Sequence, residues 1–197
     1  MATSKHVESL PVGTPVNLQL LSSSAEEFRK SHPSASGRPY DKVVVGAATL
    51  QQEAPGSPSK TPRILLLKRA PHEPYYPNVF ELPSGKVDPD DPSLKHALFR
   101  EVKEETGLDV AEILAELEPM IYSTEKTITG AAGEEVLVSK SAIQLNYVVS
   151  VSPGTIKLSA DEHSESCWAS EADLAGLDIT DAMRAVIREA FQWASSQ

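Results

Sequence analysis

The sequence predicts an α/β protein in which a mixed sheet is flanked by helices on both faces, as an α/β/α sandwich. Strand-like runs form two groups, separated by one amphipathic segment, and a second amphipathic segment follows the later group. This order is typical of such sandwiches. The chain has 197 residues, of which 40% are hydrophobic and 23% charged, values that suit one domain with an extension.

Charge and cysteine content exclude several classes of function. The formal net charge of −10 argues against broad binding to nucleic acid or to an anionic membrane. A small phosphorylated substrate remains compatible, because a bound divalent cation can invert the local field. Cys167 is the only cysteine, so the chain can form neither an internal disulfide nor a cysteine-rich zinc site. We expect Cys167 to be a small buried hydrophobe.

No targeting or membrane segment is predicted. The first residues lack the apolar run of a secretory signal. No stretch approaches the roughly 20 apolar residues that would span a bilayer. We therefore expect a soluble, cytoplasmic protein without nucleic-acid or membrane partners, as a monomer or a homodimer.

The first 39 residues are rich in serine and proline and are interpreted as an N-terminal extension to a domain over 40–197. Within it, 16–21 alternates imperfectly and is assigned an edge strand. Ser24 and Glu27 form the pattern of a capping box, which predicts a short helix over 25–30. Residues 31–39 have the composition of a linker.

The domain begins with strongly apolar runs. Buried strands are predicted over 43–50 and 63–68, with a long loop over 51–62 between them. Further strands are predicted over 79–81, 86–87, 114–129 and 135–151, with a hairpin tip at 130–133. The last segment, 179–194, predicts an amphipathic helix whose apolar positions are Met183, Val186, Ile187, Ala190 and Phe191.

Between the two groups of strands, a helix carries clustered glutamates. We expect Asp91 to cap it, Pro92 to occupy its first position and Gly107 to end it. Its glutamates at 101, 104 and 105 fall within about a third of the helical circumference, beside the apolar stripe. Either the face is simply solvated, or the carboxylates hold a hard cation such as Mg²⁺, which prefers oxygen ligands.

The surroundings of these glutamates resemble the signature of the Nudix hydrolases. That pattern ends in Arg-Glu-aliphatic-x-Glu-Glu-x-Gly-aliphatic, and residues 100–108, Arg-Glu-Val-Lys-Glu-Glu-Thr-Gly-Leu, match it at every position. The family's preceding glycine corresponds to Gly85. Three departures are present: Ser84 replaces a frequent second glycine, Asp91 stands at the first acidic position, and the gap to Arg100 is one residue longer. The carboxylate partner of Arg100 could therefore be Asp91, Asp90 or neither.

The resemblance implies a Nudix-type sandwich and hydrolysis of a nucleoside diphosphate linked to another moiety, or of a related organic diphosphate. It implies Mg²⁺, with Mn²⁺ as the alternative ion. Glu101 and Glu105 would be metal ligands, Glu104 a ligand or base, and Ser84 or Gly85 would supply a backbone carbonyl. Arg100 would orient the glutamates.

A second segment, Glu162-His-Ser-Glu-Ser-Cys-Trp168, resembles the family's Glu-His-x-Glu-x-x-Trp run. Glu165 is the predicted additional ligand or general base, which requires this loop to fold over the helix. In the alternative interpretation Glu162 and Glu165 are solvated acids, and His163 is an ordinary polar loop residue.

The substrate is less well indicated. Aromatic residues that could line a cleft and stack on a base are Tyr75, Tyr76, Phe80 and Tyr122, and cations that could meet phosphates are Lys68, Arg69, Lys86 and Lys126. Motifs of the NADH, coenzyme A and ADP-ribose subfamilies are not evident.

Two other classes of protein remain: a Nudix-fold module that binds nucleotides or partners without hydrolysis, and an isopentenyl diphosphate isomerase-like enzyme. The isomerase would need a catalytic cysteine upstream of Cys167.

Overall fold

A computed structural model of the chain describes residues 7, 11–13, 16–51, 61–129 and 133–197. Seven strands form one sheet: β1 Lys42–Leu50, β2 Ile64–Arg69, β3 Phe80–Glu81, β4 Ser84–Lys86, β5 Val110–Thr129, β6 Glu135–Val151 and β7 His163–Ala169. Their order is β3-β2-β1-β6-β5, with β4 paired to β1 and β7 to β2. β1 and β6 run parallel and the other pairs antiparallel, so the sheet is mixed, as predicted.

Helices cover both faces of this sheet. They are α1 Leu18–Leu21, α2 Ala25–Ser31, α3 Leu94–Thr106 and α4 Asp181–Ser195, with a 3₁₀ helix at Glu171–Gly176. Buried residues of α1, α2 and α3 belong to one apolar cluster, and those of α4 belong to the other. The predicted α/β/α sandwich is thus confirmed.

Strand periodicity explains why the sheet has two apolar faces. In β2, Leu65 and Leu67 pack into the cluster beneath α3, whereas Ile64 and Leu66 pack into the cluster beneath α4. Successive side chains of a strand point to opposite faces, so a strand covered on both sides must be apolar throughout. That requirement accounts for the continuous apolar run that predicted this strand.

The strand predicted over 16–21 is wrong. The chain there forms the short helix α1, and the side chain of Asn17 caps it by accepting a hydrogen bond from the Leu20 N–H at 3.0 Å. A segment this short contains too few apolar positions to separate a period of 2 from one of 3.6. The cap, together with burial of Leu21, favours the helix.

Other predicted elements are confirmed. α2 has the expected capping box between Ser24 and Glu27, and β6 has the predicted bounds. The five apolar positions predicted for the C-terminal helix are all buried in α4. The predicted 51–62 loop lies largely outside the described residues, as does most of the predicted hairpin tip at 130–133. Across the described ranges, no helix has both the length and the apolar character needed to cross a membrane.

The N-terminal segment packs on the domain. Leu21 and Phe28 are almost fully buried in the same cluster as α3. The backbone N–H of Leu94, the first residue of α3, donates to the Ser23 carbonyl at 2.9 Å. The segment therefore supports the helix that carries the glutamates, while the proposed division of the chain after residue 39 stays a prediction.

Candidate active site

Helix α3 begins at a different cap from the one predicted. Ser93 is the N-cap, and its hydroxyl accepts a hydrogen bond from the His96 N–H. The prediction that Asp91 caps the helix and that Pro92 is its first residue is therefore wrong. The end is as predicted: Gly107 has a left-handed backbone with φ of 72°, and its N–H donates to the Lys103 carbonyl.

Asp91 instead binds Arg100. Its two carboxylate oxygens accept hydrogen bonds from Nε and Nη2 of the guanidinium at 3.1 and 2.7 Å, a bidentate pair. This contact identifies the carboxylate partner that the sequence left open. Burial opposes ionisation of Asp91, but the hydrogen bonds from Arg100 and from the Asp88 N–H, together with the Arg100 charge, outweigh it and lower the pKa of this carboxyl group.

Arg100 also fixes the helix glutamates. Its Nη1 donates to Oε1 of Glu101 at 2.8 Å and to Oε2 of Glu104 at 3.0 Å, and its Nη2 donates to the backbone carbonyl of Lys86 at 3.1 Å. One guanidinium therefore joins the loop, strand β4 and two carboxylates. The contacts hold the two carboxylates in place, and the orienting role of Arg100 stays a prediction.

Glu101 and Glu105 point at strand β4, whereas Glu104 is exposed. Oε2 of Glu105 accepts a hydrogen bond from the Ser84 N–H at 2.8 Å. A side chain at Gly85 would collide with the Glu101 carboxylate, because an added Cβ would lie closer than 3.0 Å to it. Glycine is thus required here for close approach, and both predicted ligands lie against the two predicted loop residues.

Burial of these carboxylates strongly affects their protonation. Glu101 is 9% and Glu105 4% exposed. Burial raises the pKa of Glu101 to about 7, against the opposing influence of Arg100. Burial, followed by the negative charge of Glu81, raises the pKa of Glu105 well above its ordinary value. Two buried, poorly compensated carboxylates are the condition under which a bound cation contributes most.

The segment before β7 brings two more groups to Glu105. The Ser159 N–H donates to the Glu105 carbonyl at 3.2 Å, and the Lys157 N–H donates to the Thr106 carbonyl at 2.8 Å. This attachment to the end of α3 brings Glu162 and His163 close to the helix. Ligand atoms of Glu105, Glu162 and His163 all lie within 4.8 Å of one another.

Glu165, the predicted additional ligand or base, lies elsewhere. It belongs to β7, pairs in register with Lys68 of β2, and forms an ion pair with that lysine at 3.3 Å. Its carboxylate is 57% exposed. The structure therefore brings together Glu101, Glu105, Ser84 and Gly85 with Arg100, but groups Glu162 with them rather than Glu165.

The donor set fits a divalent cation. Carboxylates of Glu101, Glu105 and Glu162 supply oxygen atoms, and the Glu162 charge acts on both helix glutamates. Both ring nitrogens of His163 are buried without a hydrogen-bond partner. Carboxylate oxygens suit Mg²⁺ and Mn²⁺, and buried acidic groups of this kind need either protons or a cation.

A cavity of about 290 Å³ adjoins this cluster. The four aromatic residues predicted to line a cleft all line it, together with Arg69, Glu81, Met120 and Gln144. Nη1 of Arg69 donates to Oε1 of Glu81 at 2.7 Å, and the same oxygen is 3.5 Å from Nε2 of His163. Glu81 therefore links the aromatic cavity to the acidic cluster. Of the predicted phosphate-binding cations, only Arg69 lines this cavity.

Two features of the site were missed from sequence. In the alternative interpretation His163 was an ordinary polar loop residue, but it begins a strand and is 3% exposed. Glu162 was expected to be solvated if it had no role, and it is exposed yet directed at the helix glutamates. Both lie within the segment singled out for its likeness to the family run, so the signal was present.

Cys167 is half-buried, and burial raises the pKa of its thiol.

The chain is an α/β/α sandwich in which the acidic helix α3 packs against the glycine-bearing strand β4. This combination defines the class of protein. The family model described as the NUDIX domain matches residues 43–193. The chain belongs to the Nudix family.

Similar proteins agree with this assignment. The Nudix hydrolase NudL of Yersinia pestis, itself named as uncharacterized, is 35% identical over 74 residues. That alignment spans 36% of this chain and 37% of the relative, so the chain matches little more than a third of its curated relatives' length. A MutT NUDIX hydrolase from Burkholderia pseudomallei is 25% identical with a TM-score of 0.50, covering 75% of this chain and 96% of that one.

The fold itself is shared more widely. The NUDIX domain of Shewanella oneidensis NrtR, solved in complex with ADP ribose, aligns with a TM-score of 0.56 at 17% identity. The alignment covers 87% of this chain and 99% of that domain. Likeness at this level of identity shows the fold alone.

Proposed function

We propose that the protein is a cytoplasmic pyrophosphohydrolase that depends on Mg²⁺ or Mn²⁺. It would cleave the diphosphate linkage of a nucleoside diphosphate joined to another moiety, or of a related organic diphosphate. The observation that carries the proposal is the pairing of two buried glutamates, Glu101 and Glu105, with the Ser84-Gly85 strand. Buried carboxylates with raised pKa values are stable in ionised form only beside a cation, and a cation bound there attracts phosphate.

Each residue has a role in this proposal. Glu101, Glu105 and Glu162 would hold the metal ion, with the backbone carbonyl of Ser84 or Gly85. The ion would supply Lewis-acid polarisation of a phosphoryl oxygen and lower the pKa of a bound water. Glu104 remains exposed beside the cluster, where it can accept a proton from water; Glu165 is the other proposed base.

Arg100 would act by position. It holds Glu101 and Glu104 from one side while Asp91 holds Arg100 from the other, so the glutamates are aligned before any ligand arrives. Alignment of this kind reduces the entropy that must be lost on reaching the transition state.

The aromatic cavity would receive the organic part of the substrate. It is open to solvent beside Tyr76, which is 61% exposed, and Tyr122 and Phe80 supply aromatic surface. A volume of about 290 Å³ lies at the lower end of the range for ligand pockets. The cavity therefore suits a single ring system, such as one nucleobase, better than a long chain.

Gln144 gives this cavity a defined polar group. Nδ2 of Asn146 donates to the carbonyls of Glu118 and Gln144 at 3.3 and 3.2 Å, so its Oδ1 faces the other way and accepts from Nε2 of Gln144 at 2.9 Å. The amide of Gln144 is thereby oriented with its Oε1 as a free acceptor among the described contacts. A ligand ring that carries an N–H donor is favoured.

Release of phosphate or nucleotide from a substrate panel tests the proposal. The panel holds nucleoside triphosphates including oxidised ones, ADP-ribose, NADH, dinucleoside polyphosphates, coenzyme A and prenyl diphosphates, each with Mg²⁺, Mn²⁺ or EDTA. We expect metal-dependent cleavage of one class at the diphosphate. If metal ions bind and raise the melting temperature while no substrate is cleaved, the hydrolase proposal is contradicted in favour of a binding module.

The binding alternative has one observation in its favour. The NrtR domain, whose fold this chain shares, was solved with ADP ribose and, in a longer chain, with a 27mer DNA. Retention of Glu101, Glu104 and Glu105, together with the Arg100 network, favours hydrolysis, because a module that only binds has no need of all three.

A further inference from the structure

His163 is unusual among the buried polar side chains. Four buried side-chain nitrogen or oxygen atoms lack a hydrogen-bond partner within the described ranges, and both ring nitrogens of His163 are among them. The side chain is 2% exposed. Leaving a buried polar group unsatisfied costs about 1–3 kcal/mol. Native structures rarely keep such a group without a reason.

The nearest charged atom does not relieve this cost. Oε1 of Glu81 lies 3.5 Å from Nε2 of His163, but that oxygen already accepts a 2.7 Å hydrogen bond from Arg69. The contact counts as an ion pair by distance, yet it does not meet the geometry of a hydrogen bond. A misaligned contact of this length contributes little, because hydrogen bonds weaken steeply when misaligned.

The surroundings of His163 are those of a metal ligand. Carboxylate oxygens of Glu105 and Glu162 lie within 4.8 Å of a ring nitrogen, and the three ligand atoms lie within that distance of one another. Backbone contacts fix the arrangement: the His163 N–H donates to Ser159 at 2.9 Å, and the Glu162 carbonyl accepts from Ala70 at 2.8 Å. An imidazole nitrogen with two carboxylates is a mixed donor set rather than an all-oxygen one.

We propose that His163 supplies a nitrogen ligand, beside Glu105 and Glu162, to a first-row transition cation, so that this site prefers Mn²⁺ and its heavier neighbours to Mg²⁺. The proposal rests on the proposed function, since it names the ion for the same acidic cluster. Mg²⁺ takes oxygen ligands and retains water, whereas imidazole suits transition ions. A ring nitrogen in the cluster therefore selects against Mg²⁺, and coordination satisfies one of the two unpaired ring nitrogens.

Pulsed electron paramagnetic resonance of the full chain with Mn²⁺ alone tests the assignment. We expect nitrogen modulation of the bound Mn²⁺ signal that changes when the protein is labelled with ¹⁵N. His163→Gln should abolish this modulation and weaken Mn²⁺ binding at least about tenfold. Losing a residue that only hydrogen-bonds a metal ligand already costs about tenfold or more in affinity, and losing the ligand itself should cost no less. Mg²⁺ binding should change much less. His32→Gln, which alters a histidine stacked on Phe28, is the matched control and should behave as wild type.

The wild-type spectrum alone can overturn the proposal. If Mn²⁺ binds and supports hydrolysis without nitrogen modulation, the histidine assignment fails and the proposed function stands. Nitrogen modulation of equal strength in His163→Gln and wild type would also contradict the histidine assignment and leave the proposed function standing. If neither Mn²⁺ binding nor hydrolysis is found, both proposals fail. A His163→Gln variant that does not fold leaves the wild-type and ¹⁵N spectra to decide the question.

Discussion

Replacement of Gly85 by alanine tests the close approach of strand β4 to the acidic helix. Gly85 lies opposite Val45 of β1, and the added methyl group would lie closer than 3.0 Å to three atoms of the Glu101 carboxyl group. Those atoms are the end of a flexible side chain, so the carboxylate will move and the strand will stay. The movement must break the 2.8 Å ion pair between Glu101 and Arg100.

Two magnitudes follow from this geometry. Overpacking and the lost ion pair together should lower the free energy of unfolding by about 1–3 kcal/mol, which leaves a folded protein. Displacement of Glu101, a proposed metal ligand, by about an ångström should cost about a hundredfold in turnover. We therefore expect a large loss of kcat/KM with a modest fall in the melting temperature, measured on the substrate found in the panel.

Gly176→Ala is the matched control for Gly85→Ala. It makes the same substitution in the 3₁₀ helix, where an added methyl group would meet no atom within 4 Å. Its turnover should equal that of wild type. If Gly85→Ala and Gly176→Ala turn over equally fast, the Glu101 carboxylate does not need its place against Gly85, and the reasoning about the site is refuted.

Three further predictions concern the same cluster. Glu162→Gln should lower metal affinity about tenfold or more while Glu165→Gln leaves it unchanged, as calorimetric titration will show; the reverse result would restore Glu165 as the ligand. Arg100→Lys should lower kcat more than it raises KM, because lysine cannot form the bidentate pair with Asp91. Burial raises the pKa of Glu101 to about 7 from 4.5, so the metal-free protein should lose up to ~3 kcal/mol of stability between pH 4.5 and 7, with full stability below that window. Chemical denaturation across that range, with and without Mn²⁺, measures this loss, and a flat profile without metal would contradict it.

The sequence predicted the helix of the site better than its surroundings. The run from Arg100 to Leu108 and the helix end at Gly107 are local signals, and both are found in the structure. The start was misjudged because Asp91 and Ser93 are both good caps. The choice between these two caps is decided by the bidentate pair between Arg100 and the Asp91 carboxylate, because that carboxylate binds Arg100 instead of capping the helix.

The sequence pointed to Glu165, rather than Glu162, as the acid near the helix for a different reason. Glu162 and Glu165 occur in one short run, and local sequence does not say where a strand begins. The register of β7 against β2 directs Glu165 to Lys68 and leaves Glu162 before the strand, near the helix. Strand register depends on pairing between distant segments, which a single sequence does not display. His163 is placed by a shift of that register between Lys68 and Arg69, which pairs His163 with Arg69.

Turnover of Glu105→Gln across the substrate panel is the most direct test of the central claim that buried glutamates support metal-dependent cleavage of a diphosphate. Glu135→Gln, which changes an exposed acid at the start of β6, serves as the control. With Mg²⁺ or Mn²⁺ present, we predict wild-type turnover in the control and a loss of more than about a hundredfold in Glu105→Gln, beyond what removing a supporting partner costs. Equal turnover in both folded variants, or cleavage that persists in EDTA, would contradict the account.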